Sequence, residues 1–333
     1  MLSTRVICYP HGVSQQEEPP YLTYARYLQG RHGCVVYRVA VDAGFSCPNR
    51  PDGRSSRGCT YCAEEGGRAP YLSAASTTAV EAQVGESIAF LRSRYRAEAF
   101  ILFFQAFSNT NAPVSQLKQI YDHGLSLAPF RGLNVATRPD CLDAEKADLL
   151  ASYTTRGLEV WAELGLQTSD DLTLRRVARG HTAEDFLRAY RLLKDRGVKV
   201  AVHLIFGLPG EGMAEITRTV EFVARLGTDG VKIHNLHIPR GTVLAQELEK
   251  GELTAPTAPR HLEYTIAAIE RLSPDTVIMR LTCDTPEERL AAPRHFWAKS
   301  AFLERLAATM RDRGTHQGRL FTSVPNPPRT SVP

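Results

Sequence analysis

No run of about 20 apolar residues occurs in the chain, so no segment reads as a membrane-crossing helix. The opening, MLSTRVICYPHGVSQQEEPP, lacks a basic start followed by an apolar stretch. That predicts no secretory signal, a cytoplasmic protein and no membrane partner. Neither sign of charge dominates: 40 Lys and Arg against 36 Asp and Glu leave a net charge of +4. Such a balance permits a polyanionic partner without demanding one. Cysteine is scarce, seven in 333 residues, and an odd count in a reducing compartment argues against a disulfide framework. No GxGxxG follows an early strand pattern, which weakens a dinucleotide-binding reading, and no internal repeat is visible. Apolar residues make up 43%, enough for a sizeable core in one large domain, or one domain plus an appendage.

What is present is an alternation of short apolar runs with helical patterns. Strands are predicted at Val35–Val41, Phe100–Gln105, Leu133–Thr137, Val160–Leu166, Val198–Phe206, Val231–Ile238 and Val277–Leu281. Between them lie segments of helical period such as TAEDFLRAYRLLKDRG, with Thr182 placed to cap it, Glu184 and Asp185 in its first turn and Gly197 to end it. Alternating strands and helices imply parallel pairing with right-handed crossovers. About six such units point to a partial (β/α)6 TIM-type barrel with a small C-terminal extension. The expected organisation is a flexible N-terminus (1–20), a barrel (21–245) carrying the 47–62 loop, an extension (246–322) and a disordered tail (323–333).

The cysteines are not evenly spread. CPNRPDGRSSRGCTYC places Cys47, Cys59 and Cys62 within sixteen residues. Prolines and glycines keep this stretch from becoming helix or strand. It directly follows the first strand, which in a β/α barrel is the rim where active sites sit. Three thiolates are informative. Structural zinc takes four closed ligands, and a four-iron cluster usually takes four cysteines, so a cluster held by three leaves one iron open. A structural zinc completed by Cys34 or His32 is the alternative. Cys34 begins an apolar strand run, where a buried thiol is ordinary.

Beyond these cysteines, a series of stretches occurs in one order: YARYL, DAGFSCPNR, GCTYC, QAFSNTNAPV, ATRPDCL, VWAELGLQT, RGHT, VHLIFGLPGE, DGVKIHNLHI and RLTCDTP. In this the chain resembles the radical SAM superfamily, specifically its YhcC/YtqA-type group, related to the elongator catalytic subunit. The resemblance spans about Tyr24 to Leu306. The long gap before the last CxxC is itself a mark of that group. The resemblance implies that Cys47, Cys59 and Cys62 bind a [4Fe–4S] cluster and that S-adenosylmethionine chelates the open iron. One electron then cleaves the sulfonium to a 5′-deoxyadenosyl radical, which takes a hydrogen atom from the substrate. An electron donor such as flavodoxin or ferredoxin is implied with it. The chain departs from the group's pattern at Arg57, at Cys283 before Asp284, and at Ala298.

The same resemblance assigns candidate cofactor contacts, each with a plainer reading beside it. Tyr61 occupies the place of an adenine-side aromatic, or packs the rim. Gln105, Ser108, Asn109 and Thr110 end the second strand, where the superfamily binds the methionine amino group; turn chemistry before Pro113 is the alternative. Glu163 and Gln167 are four apart on a strand and so expected on one face. A buried carboxylate needs a partner, either the cofactor or a structural ion pair. Of Arg175, Arg176 and Arg179, the last is the one expected to meet the cofactor's carboxylate; a solvated helix face is the alternative. Gly207 and Gly210 allow backbone approach to adenine, and Glu211 belongs to the same motif or starts the next helix. His181 has no assigned role, and His234 is a substrate-side candidate.

The segment Arg289 to Arg319 holds seven Lys or Arg and two acidic residues. With Phe296 and Trp297 it suits RNA, or is an ordinary solvated helix face. The family resemblance points to a tRNA substrate, with conversion of a wobble-uridine carboxymethylaminomethyl group to aminomethyl. Alternatives are a radical enzyme acting on a small metabolite and a zinc-stapled, non-catalytic RNA-binding protein. The chain ends too early for the elongator subunit's acetyltransferase domain, so acetyl transfer is not expected.

Overall fold

A computed structural model describes residues 18–63 and 79–322. The expected tail (323–333) and most of the expected flexible N-terminus lie outside the described residues. In chain order the strands are β1 (Val36–Val41), β2 (Ala99–Phe104), β3 (Phe130–Thr137), β4 (Glu159–Gln167), β5 (Lys199–Phe206), β6 (Gly230–Asn235), β7 (Ile238–Pro239), β8 (Val277–Arg280) and β9 (Leu290–Ala292). Seven of them form one parallel sheet in the order β1-β2-β3-β4-β5-β6-β8, and β7 pairs antiparallel with β9. The sheet is a curled half-barrel, the class the alternation predicts, with every predicted strand present. β8 adds a seventh strand and lies beyond residue 245, so the main sheet runs on into the segment expected to be an extension.

Helices α1 (Tyr24–His32), α2 (Val80–Tyr95), α3 (Val114–Ser126), α4 (Ala144–Thr154), α5 (Asp171–Arg176), α6 (Ala183–Lys194), α7 (Met213–Arg225), α8 (Val243–Glu249), α9 (Ala258–Arg271) and α10 (Lys299–Asp312) complete the chain. Several start where the sequence supplies a Thr or Asp cap, at Thr23, Asp143, Asp170, Thr182, Thr242 and Thr257, each side chain accepting a first-turn N–H. Thr182 and Asp185 form a reciprocal capping box, as their spacing predicts.

The strands are buried on both faces, which explains near-continuous apolar runs such as AFILFF in β2. The main core lies between sheet and helices and includes Leu117, Tyr121, Tyr153, Phe186 and Phe302. A second cluster of Tyr24, Leu28, Val36, Ala99, Ile101, Trp161, Ala201, Val277 and Met279 gathers residues from α1 and from the early parts of the strands. Tyr24 and Tyr27 both meet Trp161 edge-on, with centroids 5.9 and 5.7 Å away. This plug fills the barrel at the end where the strands begin, and the cavity among the described residues lies where they finish. The outer edge of β8 is covered as well: Ile278 N donates to Leu22 O at 2.8 Å, which satisfies an otherwise exposed strand edge.

Candidate active site

At the open end a cavity of about 940 Å³ lies inside the half-barrel. Cys47, Cys59 and Cys62 line it together, from the loop after β1. The loop is folded by its own polar residues. Arg50 donates to the carbonyls of Ser56 (2.9 Å) and Ala63 (2.5 Å) and to Cys62 Sγ (3.2 Å). Asn49 Nδ2 donates to Cys59 Sγ at 3.3 Å and to the Ala178 carbonyl at 2.6 Å. Gly180 is required there: its φ is +77°, and a Cβ would stand 2.3 Å from Asn49 Oδ1. The two sulfurs differ. Burial alone would raise the Cys59 thiol, but Arg179 and Arg138 outweigh it and hold it below the ordinary range. Cys62 is raised, chiefly by burial.

Arg179 is the one of the three expected arginines that reaches the cavity. Its Nη1 lies 3.7 Å from Cys59 Sγ, its Nη2 donates to the Gly165 carbonyl (2.9 Å), and its Nε donates to His181 Nε2 (2.9 Å). This gives His181 a role. Burial and then Arg179 push its pKa down to about 4, so it is neutral and accepts from the guanidinium, aiming it at Cys59. Arg176 instead pairs with Glu247 on the surface, at 2.6 Å.

The other expected residues divide. Tyr61, Gln105, Glu163, Gln167 and His234 line the cavity. The side chains of Ser108, Asn109 and Thr110 do not; they tie the strand ends together. Ser108 and Thr110 meet Thr137 Oγ1 at 2.9 and 2.6 Å, and Asn109 Nδ2 donates to the carbonyls of Phe104, Ala106 and Ala136. The plainer, turn-forming reading describes these three side chains. Gly207 is also off the cavity lining; its φ is +88° and a Cβ would stand 2.0 Å from Pro256 Cγ, so its close approach is to a proline ring. Glu211 precedes α7 and accepts from Thr168 Oγ1 (2.5 Å) rather than lying in the first turn, where Glu215 caps the Gly212 N–H (2.8 Å).

Glu163 sits at the centre of an ion network that no local spacing announces. Its carboxylate accepts from Lys232 Nζ (2.6 Å), His203 Nε2 (2.8 Å) and Arg38 Nη1 (3.2 Å), with Asn134 Nδ2 at 3.3 Å. Within the protein, this network supplies the partners that a buried carboxylate needs. Burial opposes its charge, but Lys232, His203 and Arg38 hold the carboxyl well below the ordinary range. Strand register assembles this wall: His203 stands opposite Lys232, and Lys232 opposite Arg280. Arg38, His203, Lys232, His234, Arg280, Cys283 and Lys299 all line the cavity. Burial pushes the Cys283 thiol up to about 12, so it stays protonated.

The zinc reading loses its fourth ligand. Cys34 packs near the closed end, beside the cluster built on Trp161. The six residues of β1 then separate it from the loop, roughly 20 Å of strand. His32 faces Glu159 at 3.5 Å. Among the described residues, no three Cys, His, Asp or Glu side chains are gathered closely enough for a single metal ion.

Residues 53–223 match the Radical SAM superfamily, and residues 228–312 match the Radical_SAM C-terminal domain. The chain is also 38% identical to Protein YhcC of Escherichia coli strain K12 over 300 residues, covering 88% of this chain and 94% of that protein. This chain belongs to the radical SAM superfamily. Within it, the YhcC-type proteins are its relatives over nearly full length. A tRNA uridine(34) acetyltransferase of Dehalococcoides mccartyi is 35% identical over 166 residues, 48% of this chain and 35% of that protein. The archaeal Methanocaldococcus infernus Elp3 shares the fold at a TM-score of 0.68 and 20% identity, over 85% of this chain and 64% of that one.

Radical SAM enzymes use a [4Fe–4S] cluster and S-adenosylmethionine, and the residues here fit both. Three thiols share one cavity, and donors from Asn49, Arg50 and Arg179 point at two of the sulfurs, as anionic sulfur requires. Tyr61 packs beside them against Val177, Leu208 and Leu236, with its hydroxyl buried. Arg50, Arg138, Arg38 and Arg280 have no assignment from the sequence, and Lys232 only a place on the face of His234. Arg50 and Arg138 have a local signal, as basic residues in the CPNR and TRPD turns; Arg38 and Arg280 become legible only through strand register. Among the described residues, no helix is long and apolar enough to cross a membrane.

Proposed function

We propose that this radical SAM enzyme modifies tRNA at the wobble uridine, converting a carboxymethylaminomethyl side chain to aminomethyl. Cys47, Cys59 and Cys62 hold the cluster; Tyr61, Gln105, Gln167 and Arg179 line the space for S-adenosylmethionine. When bound, that pair would supply one-electron chemistry that takes a hydrogen atom from the carboxymethyl carbon beside the substrate amine; loss of one further electron, with S-adenosylmethionine as the net two-electron oxidant, leaves an imine that water opens to the aminomethyl group and glyoxylate. The protein's own part is to close the barrel floor with Trp161 and Tyr24, so that water enters from one side only, and to aim Arg179 at Cys59. A reductant of the flavodoxin or ferredoxin class supplies the electron.

The observation that carries the tRNA reading is the likeness, over about half of this chain, to a tRNA uridine(34) acetyltransferase, joined to a cavity wall rich in cations. The basic C-terminal segment supports it less than its composition suggests. Arg313 pairs with Glu263 (2.7 Å), Arg319 with Glu270 (2.8 Å), and Arg305 lies 4.2 Å over the Trp297 ring. The test is nucleoside mass spectrometry of tRNA from a strain lacking the gene. Carboxymethylaminomethyl uridine should accumulate at the expense of aminomethyl forms; an unchanged uridine profile overturns the tRNA assignment and favours a small-metabolite substrate.

A further inference from the structure

The inner wall carries more positive charge than its carboxylates answer. Glu163 is shared among Arg38, His203 and Lys232. Arg280 lies next to this group, in register with Lys232 on β6, and its side chain lines the cavity. Yet it makes no hydrogen bond and no ion pair with any described residue. Beside it, His234 has a buried Nε2 without a partner, and its ring centroid is 5.7 Å from that of His203. Lys299, at the start of α10, also lines the cavity and has no ion-pair partner among the described residues. A guanidinium held largely out of water with nothing to bind is costly. Burial, and then the neighbouring Arg38, pull its pKa below the ordinary range, as expected for a cation short of a counter-charge. The acidic rim residues Asp284 and Glu288 line the same cavity but make no ion pair with it.

We infer that Arg280, with His234 and Lys299, forms an oxyanion subsite that holds a carboxylate or phosphate group of the substrate. Arg280 supplies the planar fork, which suits either group bidentately. The neutral His234 adds a directional hydrogen bond, and Lys299 closes the subsite from the α10 side. The subsite lies on β6, β8 and α10, whereas the cluster cysteines come from the loop after β1. A substrate anchored there by its anion presents the rest of its length to the space beside Cys59 and Tyr61. The inference rests on this cavity being the active site and does not depend on the substrate being tRNA.

The test is calorimetric titration of the cluster-loaded, S-adenosylmethionine-saturated protein with acetate and with inorganic phosphate, using acetamide and potassium chloride as controls. Wild type should bind one oxyanion saturably and acetamide not at all. Arg280→Gln should weaken that binding about tenfold or more, the scale of a lost charge-assisted bidentate contact. Arg280→Lys should retain part of it, and the surface variant Arg313→Gln all of it. Iron content and thermal denaturation check that each variant is folded; if Arg280→Gln is not, His234→Gln takes its place with the same expected direction. No saturable binding in wild type, undiminished binding in a folded Arg280→Gln, or binding seen only when S-adenosylmethionine is left out would each overturn the subsite. The last would assign Arg280 to the cofactor's carboxylate. Competition then separates the sources: displacement of acetate by carboxymethylaminomethyl uridine identifies a side-chain carboxylate, and displacement by uridine monophosphate a phosphate. Acetate binding that neither nucleoside disturbs upholds the subsite and counts against the wobble-uridine reading.

Discussion

The cysteine loop and the charged wall face each other across one cavity but are built differently: the loop folds on itself locally and is then tied by Asn49 and Arg179 to a distant turn, whereas every contact of the wall's carboxylate is distant. In the loop, Arg50 reaches Arg54, Ser56, Cys62 and Ala63, all within thirteen positions of itself. In the wall, Glu163 meets Lys232, His203 and Arg38 across 69, 40 and 125 positions. A local construction leaves its mark as a motif. A non-local one leaves only scattered charges, whose partners no local pattern names. The contrast also divides their energetics. The loop's donors meet sulfur and backbone carbonyls, while the wall's ions depend on one carboxylate that is fully buried.

The largest expected effect breaks the loop. Cys59→Ala should lose the cluster outright, seen as loss of iron and of the brown colour after anaerobic reconstitution, and with it 5′-deoxyadenosine formation from S-adenosylmethionine and dithionite. Cys34→Ala, at the closed end of the barrel, should keep both. Equal iron in the two variants would return the zinc or another metal arrangement to consideration. The next effect breaks the wall. Glu163→Gln leaves Lys232 and Arg38 buried without their counter-charge, which should cost about 3–5 kcal/mol in urea unfolding. Adding Lys232→Met should recover part of that, because removing both ions also removes the desolvation penalty. A loss of less than about 1 kcal/mol for the single variant is what an exposed pair gives and would mean that the wall is wet.

The same contrast explains what the sequence made legible. All seven predicted strands are present because each is an apolar run bounded by turn residues, and the cap at Thr182 follows from a spacing of three. The grouping of Cys47, Cys59 and Cys62 in one cavity is legible for the same local reason. The end of β2 is ambiguous because Ser108, Asn109 and Thr110 look the same whether they bind a ligand or close a turn, and a partner such as Thr137 lies 27 positions from Thr110. Gly207 is ambiguous in the same way, since a close approach is encoded in the glycine but the ring it meets in the fold, Pro256, is not. Glu163 carries the plainest lesson. A carboxylate on a buried strand announces that it needs a partner, while the identity of that partner depends on how β1, β5 and β6 register against β4.

Glu211 sharpens the comparison with the smallest expected effect, because it belongs to a locally legible motif yet takes its character from distant residues. Four positions on, the half-buried Glu215 caps the Gly212 N–H and has its carboxyl lowered by that hydrogen bond. Glu211 is instead held against Thr168, 43 positions away, and burial raises its carboxyl to about 7. Below a pH of about 4.5, the group is protonated in folded and unfolded chains alike. Between there and about 7, the folded chain keeps a proton that the unfolded chain has lost, so stability falls as pH rises through this window. The slope from one such group cannot exceed about 1.4 kcal/mol per pH unit. Glu211→Gln keeps the shape and the hydrogen bond to Thr168 without the titration. It should therefore match wild type near pH 4.5 and exceed it in unfolding free energy near pH 7.5, whereas Glu215→Gln should lose its advantage in the opposite direction, being weaker than wild type above the carboxylate range. Parallel pH profiles for wild type and Glu211→Gln would show that Glu211 is already hydrated in the folded chain, and that here the local motif, not the distant partner, sets the chemistry.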